Sequence, residues 1–199
     1  MQADPYAPPA SSVAGPTPAE AGALRYSGFW QRVGAYFIDA LIVLPVTGID
    51  YLFGGSTHLF PLYMLIPGQC IALFLHVFMV YKYGATPGKM ALGLRVAMAD
   101  GAPVTLPATL LRYLVLWLIG IGSAIAIAAA ALKTHDATWS TLSYMQRSQE
   151  LVANAPGWFV VVKFVSGAWI IAVVITMLAN RQRRSVHDFI AGTAVVRKK

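Results

Sequence analysis

The stretch GFWQRVGAYFIDALIVLPVTG, residues 28–48, decides what kind of fold this chain adopts. It is apolar and long enough to cross a lipid bilayer as a helix, which takes about 20 residues. Arg32 and Asp39 nevertheless lie inside it, and a charged side chain in the hydrocarbon core is costly. The stretch therefore predicts a membrane helix whose two charges are paired, neutralised or in contact with water.

The composition of the whole chain agrees with a membrane protein. Apolar residues make up 57% of the 199 residues and charged residues only 12%, which is too little polar surface for a soluble domain. Besides a first span at about 29–52, the stretches at about 60–81, 107–132 and 158–179 are long enough to cross the bilayer. We therefore predict an all-α membrane protein with four transmembrane helices.

Lysine and arginine residues are distributed unevenly among the connecting segments. The link between the first two spans has none, whereas residues 82–106 have three and the segment after residue 179 has six. Positively charged loops stay on the cytoplasmic side of a membrane. We therefore expect a multi-pass protein of the cell (plasma) membrane with both termini cytoplasmic. The net charge of +7 is then explained by topology, and no nucleic acid is expected as a partner.

The first 26 residues differ in composition from the rest of the chain. They are rich in Pro and Ala, and they lack the basic start and apolar core of a signal peptide. Such a segment cannot bury enough apolar surface to offset the entropy of ordering. We predict a disordered cytoplasmic tail over residues 1–26 and a membrane domain over residues 27–197.

The stretch MALGLRVAMADGAPVTL, residues 90–106, does not resemble a membrane span. Two strand-like runs, 92–98 and 103–106, flank an Asp-Gly pair, which is a hairpin turn signal. This pattern predicts a small cytoplasmic β-hairpin. Residues 193–196 are a third strand-like run, which we expect to pair along its edge and complete a three-stranded element.

The turn GATPGK, which precedes this hairpin, superficially resembles a phosphate-binding loop. That loop needs four residues between its glycines and a Ser or Thr after the lysine, whereas here there are three and Met90. We instead predict a turn that includes Pro87, with Gly84 and Gly88 at special backbone angles and Lys89 at the level of the lipid headgroups.

Arg32 and Asp39 are seven residues apart, which places them about 10.5 Å apart along a helix and within about 20° of the same face. We expect them to form one cluster with polar residues at the inner ends of the other spans: His76, Arg112, His187 and Asp188. Arg112 is expected to bridge Asp39 and Asp188, which would otherwise repel. The cluster could be an ion or proton path, or a structural clamp that orients the helices.

The chain resembles the RDD family of integral membrane proteins. That family is named for an arginine at the start of its first helix, an aspartate within that helix and a second aspartate downstream, which Arg32, Asp39 and Asp188 match. Its pattern G-x-TPGK-x-x-x-GLRV matches GATPGKMALGLRV, residues 84–96. The resemblance covers about residues 27–197. It implies a transport role, and a few members are associated with sodium–proton antiport.

Neither catalysis nor a cofactor is expected. Cys70 is the single cysteine, so it can form neither an internal disulfide nor a zinc cluster. His187 and Asp188 are adjacent, so on a helix they would point in different directions, and no nucleophile motif accompanies them. We therefore predict that the protein is not an enzyme.

Two functions stay open at this point. The first is a small transporter, or a transporter subunit, for ions or a small polar solute, which requires a watery cavity at Asp39. The alternative is a non-transporting membrane adaptor or scaffold, in which the Arg/Asp cluster is dry and fully paired. The expected partners are the lipid bilayer, a second copy or a membrane partner protein, and a small ion or proton.

Overall fold

The structure is a computed structural model that describes residues 24–198, except for the side chains of residues 136–138. The predicted tail therefore lies outside the described residues as far as residue 23. The elements follow in this order: α1 (Phe29–Phe53), α2 (Phe60–Tyr83), α3 (Pro87–Ala91), β1 (Leu94–Met98), α4 (Leu106–Ala131), α5 (Tyr144–Ala153), α6 (Phe159–Ala179), α7 (Val186–Ile190) and β2 (Thr193–Arg197).

Four of these helices, α1, α2, α4 and α6, are long and apolar enough to cross a membrane. Their most apolar stretches have mean hydropathy values of 1.6 to 2.3 and at most two charged residues each. This confirms the predicted helical class and the expected number of apolar spans. Each predicted boundary lies within two residues of the observed one.

The first helix exposes its apolar side chains and buries a charged one. Arg32 and Ala35 are the buried residues of α1, whereas Phe37, Leu41 and Leu44 are exposed on other faces. A lipid environment accommodates such apolar side chains. The face with the charges is therefore the face that packs against the rest of the protein.

The second helix changes its winding close to its end. Residues Phe74–Phe78 form a π-helical stretch that contains His76, and such stretches are often found at functional sites. The helix ends at Gly84, which has φ +74° and donates its backbone N–H to the carbonyl of Val80 at 2.9 Å. The expected special backbone angle is therefore observed at Gly84.

The two strands come from distant parts of the chain and pair antiparallel. Leu94 lies opposite Arg197 and Met98 opposite Thr193, which confirms the expected pairing of the 193–196 run. The sheet packs on the ends of the helices, and its buried Leu94, Val96 and Val195 join the core with Ala35. We call this end of the bundle, where α1 begins and α2 ends, the sheet end.

The predicted hairpin is reduced to a turn with one antiparallel bridge, and within residues 24–198 the sheet has two strands instead of the expected three. Pro103 makes a single bridge to Ala97, and residues 103–106 form no strand. The physical reason is that α4 begins there: Thr105 caps it by accepting the N–H of Ala108 at 3.4 Å, and Pro107 lies in its first turn. These are strong helix-start signals, so the helix replaces the second strand.

Helix α3 lies directly against α1 at Gly88. A Cβ atom at this position would overlap the carbonyl oxygen of Ala35 and approach Asp39 Cγ to 2.9 Å. The expected special backbone angle was wrong for Gly88, which has no positive φ. A glycine is needed at position 88 because the backbones of α3 and α1 approach too closely there to leave room for a side chain.

At the opposite end of the bundle, the segment between α4 and α6 covers the turn after α1. Trp139 is buried and donates its indole N–H to the carbonyl of Gly54 at 2.9 Å. Tyr144, at the start of α5, donates its hydroxyl to Asp50 at 3.2 Å in an exposed position. Asp50 is thus an acidic residue of α1 that lies far from Arg32 and Asp39.

The close approach at Gly88 leads to a stability prediction. Gly88→Ala should lower the free energy of unfolding by about 1–3 kcal/mol, because the added methyl group meets backbone atoms that cannot move aside. The matched control is Gly120→Ala in α4, where a Cβ would meet no atom within 4 Å. Unfolding in detergent by sodium dodecyl sulfate should show the loss for Gly88→Ala alone, and equal stability of the two variants would contradict the packing.

Candidate functional site

Asp188 is the centre of a buried polar cluster at the sheet end. Its side chain is fully buried, and its Oδ2 accepts a hydrogen bond from Arg32 Nη1 at 2.9 Å. Arg112 Nη1 donates to the other oxygen, Oδ1, so that one carboxylate forms ion pairs with two arginines. Ser185 and Thr193 also donate to it, at 2.8 and 3.2 Å from their hydroxyl oxygens. We call these five residues the Asp188 cluster.

The local sequence explains why Asp188 occupies this position. Ser185 precedes α7, and Asp188 is three residues later, which is the spacing of a capping box. Accordingly, the backbone N–H of Ser185 donates to Asp188 Oδ2 at 3.0 Å. Capping fixes the carboxylate at the start of α7, where the arginines of α1 and α4 reach it.

Arg32 joins the first helix to both the sheet and α7. Besides its ion pair with Asp188, its Nε donates to Ser27 Oγ at 2.8 Å. Ser27 Oγ in turn donates to the carbonyl of Val195 in β2 at 3.1 Å. The remaining nitrogen, Nη2, is buried and has no hydrogen-bond partner among residues 24–198.

His187 lies beside this cluster without contacting Asp188 through its ring. Its Nε2 is 2.8 Å from Ser185 Oγ. Since the single hydroxyl proton of Ser185 points to Asp188, we assign the N–H of the ring to Nε2. Burial, followed by the charge of Arg112, lowers the pKa of His187 well below its usual value, so the imidazole is neutral at neutral pH.

Asp39 has different partners from Arg32. Its Oδ1 accepts the backbone N–H of Gly88 at 2.7 Å, and its Oδ2 accepts the hydroxyl of Thr86 at 2.6 Å. Asp39 thereby satisfies an otherwise free N–H in the first turn of α3. The expected Arg112 bridge was wrong: within the described chain, Arg112 forms an ion pair with Asp188 and not with Asp39.

A cavity of about 280 Å³ lies against Asp39 between α1 and α2. Its polar lining includes Asp39, His76 and Thr86, and Tyr36 contributes an aromatic wall. The ring of His76 stacks on Tyr113 of α4 with ring centroids 4.8 Å apart. We call this space the Asp39 cavity; it is partly open, and an acidic group and an imidazole lie on its wall.

Lys89 is buried beside the same region. It is 4% exposed, and its Nζ lies 5.5 Å from the centre of the Tyr36 ring. Burial and then the charge of Arg112 lower the pKa of Lys89 to about 7, while Asp39 acts in the opposite direction. Lys89 is covered by the protein because α3 folds back onto α1, and its expected position at the headgroup level stays a prediction.

These features together define a class of protein: a four-span membrane domain with a buried arginine–aspartate cluster at one end. Its family is shown by comparison with protein-family models. The model described as "RDD family" matches residues 26–192, and the chain belongs to the RDD family. A search of curated proteins and a search of solved structures each find no match.

Several polar contributors were not identified from the sequence, although two of them had a signal there. Ser185 is the first residue of a capping-box pattern that ends at Asp188, and Thr86 before Pro87 is a typical helix start. Ser27 and Thr193 had no such signal. They contribute because the sheet brings them beside the two arginines.

Proposed function

We propose that the protein is a small membrane transporter, or a transporter subunit, in which a proton or small ion, or a small polar solute, passes through the Asp39 cavity. One observation supports this most strongly. The carboxylate of Asp39, within a membrane-spanning helix, borders a cavity of about 280 Å³ together with His76 and Thr86. Ionisable groups at such positions are typical of ion and proton paths.

The size and chemistry of the cavity fit this proposal. A water molecule occupies about 30 Å³ of liquid, so the volume suits several waters, or one small ion with part of its hydration shell. Asp39 accepts its hydrogen bonds from neutral groups, Thr86 and Gly88, which leaves its negative charge available to a cation or proton. Lys89, whose pKa burial lowers to about 7, lies beside Tyr36 of the same lining, close enough to influence the charge of Asp39.

The Asp188 cluster has a different role in this proposal. The carboxylate of Asp188 forms ion pairs with both Arg32 and Arg112, and all three side chains are buried. Such a pair is suited to holding helices in place, because removal of one partner would leave an uncompensated charge. We therefore assign the conducting role to Asp39 and a framework role to Asp188.

We further propose that the protein lies in the plasma membrane with the sheet end and both termini in the cytoplasm. The basic residues of the 82–106 link and of the C-terminal segment lie at the sheet end, in agreement with the positive-inside rule. Reporter fusions at Gly55 and Gly101 should therefore report opposite sides of the membrane. The same side for both positions would contradict the orientation.

The transport proposal is tested with purified protein in liposomes. Asp39→Asn keeps the size of the side chain and can still accept the Gly88 N–H, so we expect near-normal folding together with loss of most proton or cation flux. The control is Asp50→Asn, which changes an acidic residue of the same helix at its opposite, exposed end. Wild-type flux in Asp39→Asn, or equal loss in both variants, would contradict the proposal.

A second candidate is a non-transporting adaptor or scaffold that acts with a second copy or another membrane protein. The observation that favours it is the complete pairing of Asp188, which needs no transported ion to explain it. The same experiment separates the two functions. Absence of flux in the wild-type protein, together with recovery of one defined membrane partner from native membranes, would favour the adaptor.

A further inference from the structure

Another cavity, of about 260 Å³, lies between α1, α4 and α6, and Tyr36 lines both this cavity and the Asp39 cavity. We call it the Arg32 groove. Its lining surface is almost wholly apolar, and the polar groups of its residues are the Arg32 guanidinium, the Tyr36 hydroxyl and the indole N–H of Trp169, which is also buried without a partner among the described residues. Among its lining residues are Phe29, Arg32, Leu116, Trp169, Val173 and Met177.

Arg32 is the charged residue of this lining, and one of its nitrogens is unused. The residue is 2% exposed; its Nε and Nη1 donate to Ser27 and Asp188. Nη2 is buried and has no hydrogen-bond partner within residues 24–198. A buried donor left unpaired in apolar surroundings is costly. Because Nη2 is covered by neighbouring atoms, an acceptor from the groove reaches it, and is bound favourably, when the side chains that cover it move aside.

The charges near this nitrogen favour an anion over a neutral acceptor. Arg32 and Arg112 together have two positive charges, and the Asp188 that binds both has one negative charge. One positive charge is therefore left over within the buried cluster. A negatively charged acceptor at Nη2 would balance it.

The shape of the groove fits an amphiphile instead of a free anion. Along α6 it extends from Met177 to Trp169, which are eight residues, or about 12 Å, apart on a helix. Arg32 lies in the first turn of α1, so the polar end of the groove is at the end of the spans, where lipid headgroups lie. The apolar part then runs inward, parallel to the acyl chains of a bilayer.

We propose that the Arg32 groove binds an acidic phospholipid. A phosphate oxygen accepts a hydrogen bond from Arg32 Nη2, and one acyl chain lies along Val173 toward Trp169. A free phosphate would leave the apolar lining uncovered, and a hydrocarbon without a headgroup would leave Nη2 unpaired. This site adjoins the proposed transport path at Tyr36, but the lipid proposal does not rest on transport.

Native mass spectrometry of the full chain tests the lipid site. The protein is released from nanodiscs that contain equal amounts of palmitoyl-oleoyl phosphatidylglycerol and phosphatidylcholine. Both lipids have a phosphate oxygen, but the choline cation offsets the phosphate charge in phosphatidylcholine. We expect at least about tenfold preferential retention of phosphatidylglycerol, because only this lipid has the net negative charge that balances the remaining positive charge of the cluster. Equal retention of the two lipids would overturn the proposal.

A variant that fills the groove tests the position of the lipid without altering Arg32. Val173→Phe should lower retention of phosphatidylglycerol at least about tenfold, because the larger side chain excludes the acyl chain and the charge-assisted contact at Arg32 is lost with it. The matched control is Ile175→Phe on the same helix, where the side chain is 58% exposed and does not line the groove. Unchanged retention in Val173→Phe, or an equal loss in both variants, would overturn the proposal.

Two further arms exclude other occupants. Inorganic phosphate should not displace the bound phosphatidylglycerol, and displacement would show that the acyl chain contributes nothing. Asp4 and Glu20 are acidic residues of the N-terminal segment that lies outside the described residues. Asp4→Asn with Glu20→Gln should leave lipid retention unchanged, and a tenfold rise would identify that segment as the occupant and overturn the lipid proposal.

Discussion

One buried carboxylate, that of Asp188, joins three parts of the chain that are far apart in sequence: α1, α4 and the segment from Ser185 to Thr193. It receives hydrogen bonds from Arg32 of α1, Arg112 of α4, Ser185 at the start of α7 and Thr193 of β2. Removing one partner of a buried ion pair typically costs about 3–5 kcal/mol, because the other charge stays behind without compensation. The relative positions of two spans and the sheet therefore depend on this group.

The ion pair between Arg32 and Asp188 fixes which face of α1 packs against the rest of the protein. Ala35 and Asp39, three and seven residues further along, face the same side and meet the backbone of α3 at Gly88. The spacing of the two charges is thereby explained. Arg32 belongs to the sheet end, whereas Asp39 lies about two turns deeper, beside Thr86 and the cavity.

Sequence alone was sufficient for the spans, since a run of about 20 apolar residues has few alternatives in a membrane protein. It also placed Arg32 and Asp39 on one face and paired the 193–196 run with β1. It could not decide which partner each charge takes, because helical spacing defines a face but not the neighbour that lies against it. The partner of Asp39 depends on α3 folding back, which the absence of a side chain at Gly88 permits.

The reduction of the expected hairpin to a turn has a similar origin. The turn signal was real, since Asp100 accepts the N–H of Ala102 at 2.9 Å and Met98 donates its N–H to the Ala102 carbonyl, also at 2.9 Å. A local turn does not by itself provide a strand partner, however. The helix-start signals at Thr105 and Pro107 were stronger, and the partner of β1 came from the other end of the chain.

The central claim is that the two aspartates have separate partners, and double-mutant cycles measure this directly. The free energy of unfolding in detergent is determined for the single variants Arg32→Gln, Asp188→Asn and Asp39→Asn. It is also determined for the two double variants that combine Arg32→Gln with Asp188→Asn or with Asp39→Asn. The account predicts a coupling energy of about 1–3 kcal/mol between Arg32 and Asp188, and less than about 0.5 kcal/mol between Arg32 and Asp39. A larger coupling of Arg32 to Asp39 than to Asp188 would contradict it.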